Sequence, residues 1–162
     1  MPHEYRAAIS WRREGEDFAK GRYSRAHEWS FDGGVTVAGS ASPAVVPAPF
    51  SRTDAIDPEE ALVAALSSCH MLTFVDMARR AGLVVDSYQD DAAGIMERIA
   101  PGKMAITQVK LRPRITFAGG LPDESRLQEL HHQAHEACFI TNSVRSEIQI
   151  EPVHAVSGQD ED

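Results

Sequence analysis

The stretch from Asp57 to Gly82 constrains the fold of this chain more than any other. Its start carries helix signals, because Asp57 can act as a cap, Pro58 suits the first helical position and Glu60 can close a capping box. Its end does so too, with two arginines in the last turn and a glycine just beyond them. About 24 residues between these signals would span about 36 Å as a helix. Most are apolar on every side, so we expect a helix buried in a core or an interface.

Short alternating segments around this helix predict strands. Three precede it, the second of them over 23–31, with Asp32-Gly33-Gly34 as the hairpin turn between the second and the third. After it we expect two long strands over 84–97 and 104–117, a second helix from about 124 to 138 and a last strand over 144–150. The order β-β-β-α-β-β-α-β predicts an α+β fold with few helices and much antiparallel sheet.

The length of 162 residues suits one domain with a substantial core, which we assign to residues 1–157. Residues 158–162 are acidic at the end, and we expect a solvated, disordered tail. A net charge of −8 argues against a nucleic-acid partner. The first residues form a polar strand pattern rather than a secretory leader, and charges interrupt the longest apolar run, so we expect no membrane contact and a cytoplasmic location.

The two cysteines, Cys69 and Cys138, allow two interpretations. Both can be small buried hydrophobic residues, which is the commonest role of a free cysteine. Alternatively they form a peroxide-reducing pair, in which one thiolate becomes a sulfenic acid and the second cysteine condenses with it to a disulfide. The second interpretation requires a cation near the attacking sulfur and two sulfurs within bonding reach.

The histidines offer further possibilities. His131, His135 and Cys138 share one face of the second predicted helix at a spacing that could hold zinc. His70 follows Cys69 directly, which suggests a Cys–His nucleophile. Neighbouring side chains on a helix point about 100° apart, however, so this pair is weak support for a hydrolase.

Two segments resemble the OsmC/Ohr family of thiol peroxidases, named after osmotically inducible protein C and organic hydroperoxide resistance protein. The first is Asp57-Pro58-Glu59-Glu60-Ala61-Leu62 followed by small residues and Cys69, and the second is Ala134-His135-Glu136-Ala137-Cys138-Phe139-Ile140-Thr141-Asn142-Ser143. The order of the predicted elements is also similar. The resemblance implies an OsmC-like α+β fold, with antiparallel sheets around a long central helix, in an intertwined homodimer with sites at the subunit interface.

The resemblance also implies site residues. Cys69 would be the peroxidatic cysteine and Cys138 the resolving one. Glu59 matches the glutamate that holds a catalytic arginine by an ion pair, and Arg25, with Arg22 as second choice, would be that arginine. About 15 Å of helix would separate Glu59 from Cys69, so the two could share a site only if the helix breaks between them, if the long arginine bridges them or if a second protomer brings its glutamate and arginine near the cysteine.

The implied activity is a thiol-dependent peroxidase that reduces organic hydroperoxides to alcohols and acts less well on hydrogen peroxide. No resident cofactor is expected, and an external dithiol or lipoyl-type reductant would reopen the disulfide. Phe139 stands where many members of the family have proline after the second cysteine. The alternatives are a binding or structural protein that keeps this fold without the activity, and a zinc-binding protein that uses His131, His135 and Cys138.

Overall fold

The computed structural model describes residues 1–15 and 17–158 and has an α+β fold, as predicted. The tail expected over 158–162 lies, beyond Gly158, outside these residues. The chain forms two compact units, Met1–Ala61 and Leu62–Asp162, and the single domain over 1–157 stays a prediction. The elements in chain order are β1 (Ala7–Ser10), β2 (His27–Phe31), β3 (Thr36–Gly39), α1 (Pro58–Arg80), β4 (Val84–Asp90), β5 (Ala93–Ala100), β6 (Lys103–Leu111), β7 (Pro113–Ala118), α2 (Glu124–Ala137), β8 (Glu147–Ile150) and β9 (Val153–Val156).

The first unit is built on the antiparallel sheet β1-β2-β3. Gly34 has a φ of +78°, and its N–H donates to the carbonyl of Phe31, which confirms the hairpin turn between β2 and β3. Gly39 lies directly against the rings of His27 and Trp29, where a Cβ atom would clash. The second predicted strand begins four residues later than expected, at His27 rather than at Tyr23.

The ends of α1 are formed by the residues that the sequence predicted. The Glu60 N–H donates to the Asp57 carboxylate at 2.8 Å, and the Asp57 N–H donates to Glu60 at 3.3 Å, which is a capping box. At the other end Gly82 adopts a φ of +77°, and the N–H of Leu83 reaches back to the carbonyl of Ala78 at 2.9 Å. This is the glycine-dependent termination that satisfies the last carbonyl groups of a helix.

The second unit contains two three-stranded sheets, β4-β7-β9 and β5-β6-β8. The pairs β4–β7 and β5–β6 are antiparallel, whereas β7–β9 and β6–β8 are parallel. The two long strands predicted over 84–97 and 104–117 are therefore each divided, and β9 is an additional strand. The division has a visible cause, because the N–H of Arg112 donates to the Asp90 carboxylate at 2.6 Å and Pro113 has no N–H to donate.

Helix α1 contributes a buried face to two apolar clusters of the second unit. Phe74 and Ala78 pack with residues of β7 and α2, and Leu66 packs with Val109 and Leu111 of β6. Burial of each large side chain contributes roughly 1.5–3 kcal/mol to stability. In the part of the chain that the structure describes, α1 is also the one helix that is long and apolar enough to cross a membrane by length and composition alone, with a mean hydropathy of 1.5. Its buried residues Leu66, Phe74 and Ala78 give the helix a role in a protein core, and the expectation of no membrane contact stays a prediction.

Candidate functional site

The two cysteines lie side by side in the second unit. Cys69 is half-buried in the middle of α1, and Cys138 is fully buried at the C-terminal end of α2. Both are free thiols, and the Cys138 thiol lies close enough to raise the pKa of the Cys69 thiol. The shared cluster of α1 and α2 side chains thus brings together two sulfurs that are far apart in the sequence.

The immediate surroundings of Cys69 favour its neutral thiol. Burial raises the pKa of Cys69, and the neighbouring Cys138 thiol raises it further. The backbone N–H groups of Ile140 and Phe139 act in the opposite direction by hydrogen-bonding the sulfur. The balance is a raised pKa, so these neighbours alone do not make Cys69 a thiolate at neutral pH.

Arg25 belongs to the first unit, where its guanidinium already has partners. It lies in the segment before β2, and its Nη1 donates to the carbonyl groups of Gly21 at 2.9 Å and Tyr23 at 2.5 Å. The guanidinium carbon lies 3.6 Å from the centre of the Tyr23 ring, a cation–π contact. Arg22, the second choice, has an exposed side chain. Arg25 is therefore a half-buried, positioned cation rather than a freely solvated one.

Glu59 also belongs to the first unit, in the first turn of α1, and is half-buried. The capping box uses Asp57 and Glu60, which leaves the Glu59 carboxylate uninvolved in it. Among the ion pairs of the first unit, within residues 1–15 and 17–61, neither Glu59 nor Arg25 takes part. The ion pair implied for these two residues is not formed there, because the guanidinium is held by backbone carbonyl groups and the Tyr23 ring.

Comparison with known proteins identifies the family. A family model described as OsmC-like protein matches residues 51–153, which include both cysteines and the capping box of α1. The chain belongs to the OsmC-like family. No curated protein matches the sequence.

Solved OsmC-like structures share the fold. An OsmC-like protein of unknown function from Vibrio cholerae is 47% identical, covers 94% of this chain and 100% of its own, and superposes with a TM-score of 0.90. An organic hydroperoxide resistance protein from Elizabethkingia anophelis is 17% identical, with a TM-score of 0.70 over 97% of this chain and 99% of its own. An OsmC-like protein from Mycoplasma pneumoniae is 14% identical, with a TM-score of 0.73 over 96% and 99%. The last two likenesses show the fold alone.

One feature of this OsmC-like chain escaped the sequence interpretation. His70, His131 and His154 form a hydrogen-bonded series, with 3.1 Å between His70 Nε2 and His131 Nδ1 and 3.0 Å between His131 Nε2 and His154 Nε2. Burial lowers the pKa of His70 to about 4 and that of His131 to about 3, so both are neutral at pH 7. His70 shares the buried face of α1 with Leu66 and Phe74. The three residues are spaced four apart, and this helical spacing was visible in the sequence.

The zinc interpretation is wrong for the described chain. Both ring nitrogens of His131 are occupied by other imidazoles, and the Cys138 sulfur accepts the N–H of Thr141 at 3.5 Å. Among residues 1–15 and 17–158, no group of three histidine, cysteine, aspartate or glutamate side chains is arranged to hold a metal ion. His131 therefore serves the core and not a ligand set with His135 and Cys138.

Proposed function

We propose that this OsmC-like protein is a cysteine-based, thiol-dependent peroxidase that reduces organic hydroperoxides to alcohols, and hydrogen peroxide less well. The observation that carries the proposal is the contact between the half-buried Cys69 thiol and the buried Cys138 thiol. A partly accessible thiol can react with a peroxide, and a buried thiol beside it can condense with the resulting sulfenic acid. The fold shared with an organic hydroperoxide resistance protein supports the same chemistry.

The reaction has three balanced steps. The Cys69 thiolate attacks one oxygen of the hydroperoxide, the O–O bond breaks, and the leaving alkoxide takes a proton to become the alcohol. The Cys69 sulfenic acid then condenses with the Cys138 thiol, forming a disulfide and releasing water. A dithiol or lipoyl-type reductant finally reduces the disulfide to two thiols and is itself oxidised to a disulfide. A cytoplasmic location, where dithiols stay reduced, is part of the proposal.

The first step requires a cation, because the local surroundings raise the pKa of Cys69. We assign this role to Arg25, whose side chain is half-buried and whose guanidinium Nη1 donates to two carbonyl groups. A guanidinium stabilises a thiolate and can orient a peroxide oxygen. Glu59, which is free of the capping box, would pair with Arg25 when the site is complete.

A homodimer would complete the site. The side of α1 that carries Ala64, Ser68, Leu72 and Val75 is exposed, and these residues are small or apolar. An exposed apolar stripe on a core helix is typical of a surface that another chain covers. The first unit of one protomer would then supply the cation to Cys69 of the other.

The test is consumption of cumene hydroperoxide in the presence of a dithiol. We expect the wild-type protein to remove the hydroperoxide and Cys69→Ser to leave it, with Thr73→Ser as a control on the same helix. After a stoichiometric dose of hydroperoxide, the intact mass of the wild type should fall by two hydrogen atoms. A wild-type protein that removes no hydroperoxide would favour the alternative, an OsmC-fold binding protein without activity.

A further inference from the structure

The segment after α2 forms a tight turn next to both sulfurs. The N–H of Asn142 donates to the carbonyl of Cys138 at 3.0 Å, and the N–H of Ser143 donates to the carbonyl of Ile140 at 3.0 Å. The Ser143 hydroxyl also donates to the carbonyl of Phe139 at 2.7 Å. In these bonds the carbonyl groups of the turn are the acceptors. The backbone N–H groups of residues 139–141 take no part in them and are available to other acceptors.

These N–H groups lie near the two sulfurs. The N–H of Thr141 donates to Cys138 Sγ at 3.5 Å, and the backbone of Ile140 and, to a smaller extent, of Phe139 lowers the pKa of Cys69. Hydrogen bonds to the charged form of a thiol stabilise it, and they oppose the effect of burial on the pKa of Cys69. The orientation of this turn therefore contributes to how readily Cys69 ionises.

A single side chain ties the turn to α2. The Asn142 amide, Nδ2, donates to the carbonyl of Glu136 at 2.9 Å, in the last turn of the helix. That carbonyl is among the last four of α2, which have no partner within the helix. The side chain of Phe139 gives the turn little anchorage in the core, because it is 79% exposed. Ile140, in the same turn, packs against the cluster of Leu66, Val109 and Leu111, and the amide of Asn142 adds a side-chain hydrogen bond that ties the turn to the end of α2.

We propose that Asn142 is a positioning residue for the Cys69–Cys138 pair, because its amide ties the 138–143 turn, whose backbone N–H groups lie beside the two sulfurs, to the end of α2. An effect of Asn142 on the rate of hydroperoxide reduction rests on the proposed peroxidase function. An effect of Asn142 on the ionisation of the Cys69 thiol does not, because the thiol ionises in the resting protein without any substrate. Loss of the Asn142 amide should let the turn move and weaken the hydrogen bonds to Cys69.

The experiment measures the rate of Cys69 alkylation by iodoacetamide as a function of pH, with peptide mapping to confirm that Cys69 is the residue modified. The variants are Asn142→Ala and, as a matched control, Gln133→Ala. The Gln133 amide also makes a hydrogen bond on α2, but only to the Glu129 side chain. We expect Asn142→Ala to shift the pH profile upward and to slow alkylation at pH 7 by about tenfold, the effect of a weakened hydrogen bond to a charged group. Gln133→Ala should match the wild type.

An unchanged pH profile in folded Asn142→Ala would overturn the proposal, even if the melting temperature fell, because that result assigns Asn142 a purely structural role. If Asn142→Ala does not fold, Asn142→Asp takes its place, since the aspartate keeps the shape but cannot donate to Glu136. A wild-type profile in Asn142→Asp would overturn the proposal equally. Neither alkylation measurement uses hydroperoxide. If the protein lacks peroxidase activity, the proposed function is wrong, but the role of Asn142 in the ionisation of Cys69 can still be tested.

Discussion

The imidazole rings of His70 and His131 lie with their planes 6° apart, and 3.1 Å separates Nε2 of His70 from Nδ1 of His131. His131 also stacks on Phe74, with ring centres 4.3 Å apart. The contact between the two imidazole nitrogens requires one that carries a proton and one that does not, and the lowered pKa values of about 4 for His70 and about 3 for His131 keep both rings neutral at pH 7. His70 Nδ1 is buried without a hydrogen-bond partner among the described residues. A proton added to this series would place a positive charge in the core.

We therefore expect stability to fall as the pH is lowered from about 7 to about 5. The folded pKa values of about 4 for His70 and about 3 for His131 lie below the unfolded value of about 6.5. The unfolded chain thus binds more protons in this window, and the free energy of unfolding decreases by up to about 1.4 kcal/mol per pH unit for each histidine. Urea unfolding at several pH values measures the slope.

Two variants distinguish the contribution of the buried histidines to the pH dependence of stability from that of other titrating groups. His131→Gln removes one buried imidazole and should reduce the slope between about pH 7 and pH 5. His132→Gln removes an exposed imidazole on the same helix and should leave the slope as it is. A His131→Gln protein with the full wild-type slope would show that the buried series does not control the acid sensitivity.

Phe74 provides a prediction about the core. It is fully buried between α1, β7 and α2, and Phe74→Ala should cost about 3–5 kcal/mol of unfolding free energy. Phe139→Ala removes an equal side chain from an exposed position and should change stability by less than about 0.5 kcal/mol. Chemical denaturation of both variants gives the comparison. Equal losses would mean that Phe139 is covered in solution.

Much of the fold was predictable because its signals are local. The capping box of Asp57 and Glu60 and the terminating Gly82 depend on residues within one turn of each other, and they set the ends of α1. The division of the long strands depends instead on Asp90, whose carboxylate binds the N–H of Arg112, 22 positions away. A contact of that range leaves no periodic trace, so the sequence predicted continuous strands.

The candidate site was predictable to a similar extent. The motifs around Cys69 and Cys138 indicated a pair, and the Cys138 thiol is near enough to Cys69 to raise its pKa. The catalytic roles of both cysteines, Arg25 and Glu59 stay predictions. The histidine series was missed because His131 was grouped by helical spacing with His135, whereas its partners come from α1 and β9. The spacing of residues along one helix cannot show which neighbouring elements supply the hydrogen-bond partners of a histidine ring.

Cys138→Ser should stop the proposed reaction after its first step. Without the second thiol, the Cys69 sulfenic acid has no neighbour with which to condense. After one equivalent of hydroperoxide the protein should be one oxygen atom heavier, and dimedone should label Cys69. Mass spectrometry of the intact protein and its peptides measures both. Cys69→Ser serves as the control and should gain neither the oxygen nor the label; an unmodified Cys138→Ser protein would contradict the assignment of Cys69 as the attacking sulfur.

Leu72 tests the proposed homodimer. Its side chain is 64% exposed, in the exposed stripe of α1 defined above, and lies one turn beyond Ser68. A lysine there would place a charge in the interface, so Leu72→Lys should be monomeric by light scattering, whereas the wild type should be a dimer. Val84→Lys changes a residue of similar exposure, 59%, on β4 and should remain dimeric. If the second protomer supplies the cation for Cys69, the monomeric variant should also lose hydroperoxide reduction. A monomeric wild-type protein that still reduces hydroperoxide would instead show that one chain holds a complete site.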